Sequence, residues 1–203
     1  MQLAKCWKPR VSGATDRDRH TPFIGWAGVD SDNASGADNQ QERPLAVQWV
    51  VGFVDGEGCF SVPIFRNRTC RLGWQVQPEF TVVQGTRSVQ VLHELERFFG
   101  CGSVNINGRH DNHREDLWRY HVKRLSSLSD HIIPFFEANP LRTAKRDDFI
   151  AFATVVCMMQ RQIHLSVEGL TQIARIAETM NRRKPSQFVE SSEAIRQPSR
   201  LDG

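Results

Sequence analysis

The stretch WVVGFVDGEGCFSV, Trp49 to Val62, sets apolar runs on either side of two carboxylates that alternate with glycine, Asp55-Gly56-Glu57-Gly58. Two local structures compete for it. Asp-Gly between apolar runs is a hairpin signal, and so short an apolar run does not by pattern alone separate strand from helix. Gly52 tilts the reading to a helix. Glycine weakens the interior of a strand, whereas on a helix it lets a second backbone approach closely. Val50, Val51, Phe53 and Val54 surround it, so this helix is apolar on nearly every face and must be covered on both sides. The chain's own sheet supplies one cover. A second copy of the chain is the simplest other cover.

A helix ending at Asp55–Gly56 leaves its last carbonyls without internal partners, at the negative end of its dipole. The Glu57 carboxylate beside them completes an oxygen-rich, negatively charged pocket. Gly56 and Glu57 are thus candidate ligands for a hard divalent cation such as Mg²⁺.

Outward from this stretch, the chain divides by composition. Residues 1–43 form a polar leader with little to bury, Trp7, Phe23, Ile24 and Trp26 excepted. Residues 44–189 are patterned, and residues 190–203 are a polar tail. Pro44 suits the first position of a helix. CFSVPIF reads as a strand. LGWQVQPEFTVVQ reads as another, with Leu72, Trp74 and Val76 on one face, Gln75, Gln77 and Glu79 on the other, and Pro78 marking an edge or bulge. SVQVLHELERFFG is a helix by its three- and four-residue apolar steps, stopped at Gly100. CGSVNIN and DLWRYHVKRL are strands joined by a polar loop, and three more helices follow, in SLSDHIIPFFEAN, KRDDFIAFATVVCMMQ and VEGLTQIARIAETMNRR. Four strands with segregated helices make an α+β domain, in which helix–strand–strand occurs twice.

The formal net charge of the 203-residue chain is only +3, so overall charge alone does not point to nucleic acid. Five scattered cysteines without a C-x-x-C pair indicate neither zinc nor a disulfide framework, and fit a reducing, intracellular compartment. The N-terminal Lys5, Lys8 and Arg10 are not followed by an apolar segment, so a secretory signal is not expected. No apolar run reaches membrane-spanning length, so no membrane partner is expected. His110 and His113 share a loop but lack a third ligand at sensible spacing.

VVGFVDGEG, Val50 to Gly58, resembles the nine-residue signature of the LAGLIDADG homing endonucleases. Gly52, Asp55 and Gly58 match it directly. Phe53 and Val54 are apolar replacements, Glu57 replaces an aspartate with its charge kept, and Val51 and Gly56 stand where the signature has alanine. The resemblance extends through the element order and HIIPFF…RTAKRDDF, over roughly residues 44–185. It implies an αββαββα fold with a four-stranded antiparallel, saddle-shaped, DNA-binding sheet and extra C-terminal helices. With one motif copy it implies a homodimer paired through Val50, Val51, Gly52, Phe53 and Asp55, Asp55 serving the motif structurally. The activity implied is site-specific, metal-dependent hydrolysis giving a staggered double-strand break in a long DNA target. Glu57 would hold Mg²⁺, for which Mn²⁺ substitutes. Gln84, at a strand end, would position water, and Lys145 would stabilise charge on the phosphate, with Arg142 and Arg146 competing for that role. The alternative is an intron-encoded RNA maturase, whose partner is its host intron RNA. The compartment implied is a bacterial cytoplasm or an organelle.

A sheet with one free face can lie in a major groove, where each base pair shows a distinct pattern. Arg66, Arg68 and Arg71 fall between Cys59 and Pro78 with no acid among them. The solvent face of the first hairpin is expected to carry Ser61, Arg66, Arg68, Gln75, Gln77 and Thr81. In the second, Asn105, Asn107, Arg109, Arg119 and His121 are similar candidates for base or phosphate contacts. Glu79 on that face is unfavourable near phosphates. Arg182, Arg183 and Lys184 read as a backbone clamp or a solvated helix end.

Overall fold

A computed structural model describes residues 45–108, 116–181 and Phe188. The expected leader and tail, Pro44, Arg109, His110, His113 and the Arg182–Lys184 cluster lie outside the described residues.

The motif is helical. Helix α1 runs Val47–Glu57, so it begins a little after the apolar run does and carries Glu57 in its last turn rather than beyond its end. Gly58 follows as its cap, in extended backbone and fully in the core. A Cβ there would sit 2.5 Å from Val54 Cγ1 and 2.8 Å from the Val54 carbonyl oxygen. Only glycine lets the chain fold this tightly from helix into strand.

Each of the two strands expected in the first hairpin is broken by a proline. CFSVPIF divides at Pro63 into β1 (Gly58–Ser61) and β2 (Ile64–Arg66). The second divides at Pro78 into β3 (Trp74–Val76) and β4 (Glu79–Gly85). A proline cannot donate to a ladder. Here Gln77 N still donates to the Pro63 carbonyl at 3.0 Å, so the hairpin bends without coming apart. β2 and β3 form a separate antiparallel ribbon. β1 and β4 join β5 (Ser103–Ile106) and β6 (Leu117–Val122) in an antiparallel four-stranded sheet of order β1-β4-β6-β5.

Helix α2 (Val89–Phe99) buries Leu92, Leu95 and Phe99, and ends at Gly100 with φ +62°. The segment after β6 is helical in three pieces: α3 (Leu125–Ser127), a π turn (Leu128–Ile132) and α4 (Ile133–Ala138). Pro134 lacks the N–H that an unbroken α ladder requires, and the wide turn lies just ahead of it. Helices α5 (Lys145–Gln160) and α6 (Val167–Glu178) complete the domain.

The helices pack on one face of the sheet. Phe60 of β1 meets Phe80 at a ring-centroid distance of 5.0 Å, and Phe136, Phe149 and Phe152 at 5.3–5.5 Å. Val82, Tyr120 and Val122 lie on the same buried face. The expectation that FIAFATVVCMMQ supplies core holds for Phe149, Phe152, Val155 and Val156.

Candidate active site and nucleic-acid interface

The burial pattern of α1 orients the site. Val50 and Val54 are fully buried in this chain's own core, whereas Gln48, Trp49, Gly52, Gly56 and Glu57 are exposed. Val50 was expected to face a second copy; it faces inward instead, because the sheet needs an apolar cover at that position. The outward stripe consists of Trp49, Gly52 and Gly56, flanked by half-buried Val51 and Phe53. Trp49 stacks on Phe53 at 4.7 Å. A Cβ at Gly52 or at Gly56 would meet nothing within 4 Å, so the backbone of α1 is bare along this stripe.

Asp55 turns the other way. Its carboxylate accepts from Arg142 N at 2.8 Å, from Thr143 Oγ1 at 2.6 Å and from Thr143 N at 3.2 Å. It is thus committed within the chain, stapling the end of α1 to the turn before α5, rather than offered to a second copy. Burial pushes this carboxyl up, but the three donors and the Lys145 charge outweigh it and hold Asp55 below the usual carboxylate range.

Lys145, the first residue of α5, donates its ammonium to the carbonyl oxygens of Val54 at 2.9 Å and Gly56 at 3.0 Å. The Val54 carbonyl also accepts from the Gly58 N–H, whereas the Gly56 carbonyl lies in the last turn, where the helix supplies no later N–H. Burial lowers the Lys145 pKa, against the opposing pull of the nearby acids Asp55 and Glu57. The carbonyls at this helix end thus accept one cationic group of the chain itself, the Lys145 ammonium. Among the described residues no group of three or more His, Cys, Asp or Glu side chains could hold a metal. Glu57 and the Gly56 carbonyl, expected to hold a divalent cation, are adjacent in the last turn of α1.

Gln84 lies two residues past Val82, the partner of Gly58 in the β1–β4 register. It pairs with Trp118 in the β4–β6 register, one residue before β4 ends at Gly85.

The sheet face away from the helices carries the polar residues. Ser61 pairs with Glu79, Thr81 with His121, Asn105 with Arg119 and Ser103 with His121. Ser61, Thr81, Asn105, Arg119 and His121 thus share one face, as their alternation predicts. Asn107 lies just past β5, its N–H bonded to the Leu117 carbonyl. On the ribbon, Gln75 pairs with Phe65 and its Oε1 accepts from Asn67 Nδ2 at 2.6 Å. Gln77 is half-buried at the proline bend. Arg68 is exposed in the ribbon's loop.

Two exposed arginines make contacts within the chain. Arg66 pairs with Trp74, on the ribbon face opposite Gln75, and lies over the indole at 4.8 Å. Arg71 donates to the Leu165 carbonyl at 2.7 Å and fastens the ribbon loop to the turn before α6. Sequence reasoning passed over Lys123 and Ser103, although strand parity places both on the polar face. It also passed over Asn181, which adopts φ +51° and bonds the Phe60 carbonyl on the free edge of β1.

A helix end that gathers oxygen ligands beside a polar antiparallel sheet defines a class, and residues 50–156 match the family model described as LAGLIDADG endonuclease. The chain belongs to the LAGLIDADG endonuclease family. It is similar to a probable intron-encoded endonuclease 3 of Neurospora crassa, 34% identical over 135 residues, which are 66% of this chain and 24% of that protein. The chain thus spans about a quarter of that relative's length. Among solved structures it resembles the homing endonuclease I-TnaI, 44% identical with a TM-score of 0.67, over 75% of this chain and 99% of that one. It also resembles the I-SmaMI protein bound to uncleaved DNA target in the presence of calcium ions, 28% identical with a TM-score of 0.67, over 78% of this chain and 53% of that one. No described helix is long and apolar enough to cross a membrane.

Proposed function

We propose that this chain is a site-specific DNA endonuclease that acts as a homodimer and depends on Mg²⁺. The observation that carries this reading is the placement of Glu57, exposed in the last turn of a helix whose neighbouring carbonyls already hold a cation. Packing two copies along Trp49, Gly52 and Gly56 brings two Glu57 carboxylates to one axis, because bare glycine backbone permits close helix approach. A divalent cation, when bound, polarises the scissile phosphate and lowers the pKa of water. Glu57 and the Gly56 carbonyl would hold it. Asp55 fixes the helix end, Lys145 keeps positive charge beside the phosphate's position, and Gln84 orients water. The face of Ser61, Thr81, Asn105 and His121 lies over the base edges of a long duplex target, and the product is a staggered double-strand break.

The test compares wild type with Glu57→Gln. The variant is expected to bind the target recovered from a randomised duplex library as wild type does, and not to cut it in Mg²⁺ or Mn²⁺. A Glu57→Gln protein that cuts at the wild-type rate removes the metal role. Failure of wild type to select any duplex removes the endonuclease reading.

A further inference from the structure

Among the described residues of the polar sheet face, Glu79 is the only acid, and it sits where a phosphate-binding surface gains least from a negative charge. Its surroundings explain its presence. One carboxylate oxygen, Oε1, lies 3.3 Å from His121 Nδ1, 3.5 Å from Lys123 Nζ and 3.6 Å from Arg119 Nη1. The Glu79 side chain is only 12% exposed, against 33–34% for Arg119 and Lys123. Beyond it, His121 Nε2 lies 2.8 Å from Ser103 Oγ and 3.0 Å from Asn105 Nδ2. One carboxylate on β4 therefore organises polar side chains on β6 and, through His121, on β5.

Non-specific DNA affinity comes almost wholly from Lys and Arg groups that settle on phosphates and release counterions. A cation already paired to the protein's own carboxylate settles there less readily. Moving it would strand a largely buried Glu79 without its partners, and uncompensated buried charge is costly. We propose that Glu79 is a specificity-setting positioning residue. It holds Arg119 and Lys123 on the protein, acts as an internal competitor for the DNA backbone, and so suppresses binding to duplexes of arbitrary sequence. This rests on the reading of the sheet as a DNA-binding face.

The experiment measures binding of the full chain to a random-sequence duplex across a salt series, for wild type, Glu79→Gln and Glu79→Asp. Glu79→Gln is expected to bind about three- to tenfold tighter at low salt, with a log–log salt slope steeper by about 1 to 2, one per cation freed. Glu79→Asp keeps the charge and is expected to stay within about twofold of wild type, on the same charge-counting argument. A folded Glu79→Gln protein with unchanged affinity and slope overturns the proposal. If that variant does not fold, Lys123→Gln decides. A lysine held by Glu79 leaves the wild-type slope nearly unchanged when removed, whereas a loss of about 0.9 marks a free phosphate contact and overturns the proposal. If wild type shows no salt-dependent duplex binding, the DNA-binding reading fails, and the Glu79 proposal with it.

Discussion

The Lys145 ammonium donates to the Gly56 carbonyl oxygen at 3.0 Å, across 89 residues of sequence. The first residue of one helix thereby closes the last turn of another. Replacing it by methionine removes two charge-assisted hydrogen bonds from carbonyls at the site, each worth about 1.5–3 kcal/mol when a charged group is involved, discounted here because Lys145 remains partly in contact with solvent. Lys145→Met is expected to unfold at lower temperature and to cut about 10²- to 10³-fold more slowly, the loss typical of one electrostatic group at a transition state. Thermal melts and single-turnover cleavage check the two effects separately.

Asp55 predicts an acid response. Its folded-state pKa lies below the ordinary 3.8, so the unfolded chain binds the proton more tightly. The stabilisation is fully present above that value and is lost as pH falls through the lower, folded-state pKa. Asp55→Asn removes this contribution. The difference in melting temperature between wild type and variant is therefore expected to be constant at neutral pH and to shrink below about pH 3.8. A difference that persists undiminished in strong acid would refute the assignment.

Gly58→Ala tests the tight exit from α1. The new methyl would overlap Val54 Cγ1 and the Val54 carbonyl, and the backbone side of that clash cannot swing away. Overpacking of this kind costs about 1–3 kcal/mol. Urea unfolding is expected to show a lower midpoint with an unchanged slope.

Gly52→Leu separates folding from association. Nothing within the chain lies near a Cβ at position 52, and leucine favours a helix over glycine by roughly 0.8–1 kcal/mol. The subunit is expected to fold at least as stably as wild type, while light scattering reports a monomer and cleavage disappears. A dimeric, active Gly52→Leu protein would place the subunit contact elsewhere.

The fold was largely legible from pattern because α2 and α5 carry helical apolar spacing, Gly100 stops α2, and the strands alternate. The strand breaks were less so. Pro78 signalled a disturbance, but a proline does not say whether a strand bulges or leaves its sheet, and only the paired position of Pro63 decides that. At the candidate site, the position of Glu57 at the end of α1 was legible from the motif itself. Contacts whose partner is distant in sequence were not. Nothing near Asp55 in the chain points to Thr143, and nothing near Arg71 points to Leu165. Arg66 is exposed, as expected, but nothing near it in the chain pointed to its contact over Trp74 on the ribbon face opposite Gln75.

The paired prolines divide one hairpin between two tasks. Gly58 to Ser61 and Glu79 to Gly85 belong to the four-stranded sheet, whereas residues 64–66 and 74–76 form a ladder of their own, anchored to the core through Val76. The exposed positions of the outer ribbon, Phe65, Arg66 and Arg68 among them, therefore stand outside every ladder of the main sheet, and their side chains are open to replacement without a change to its pairing.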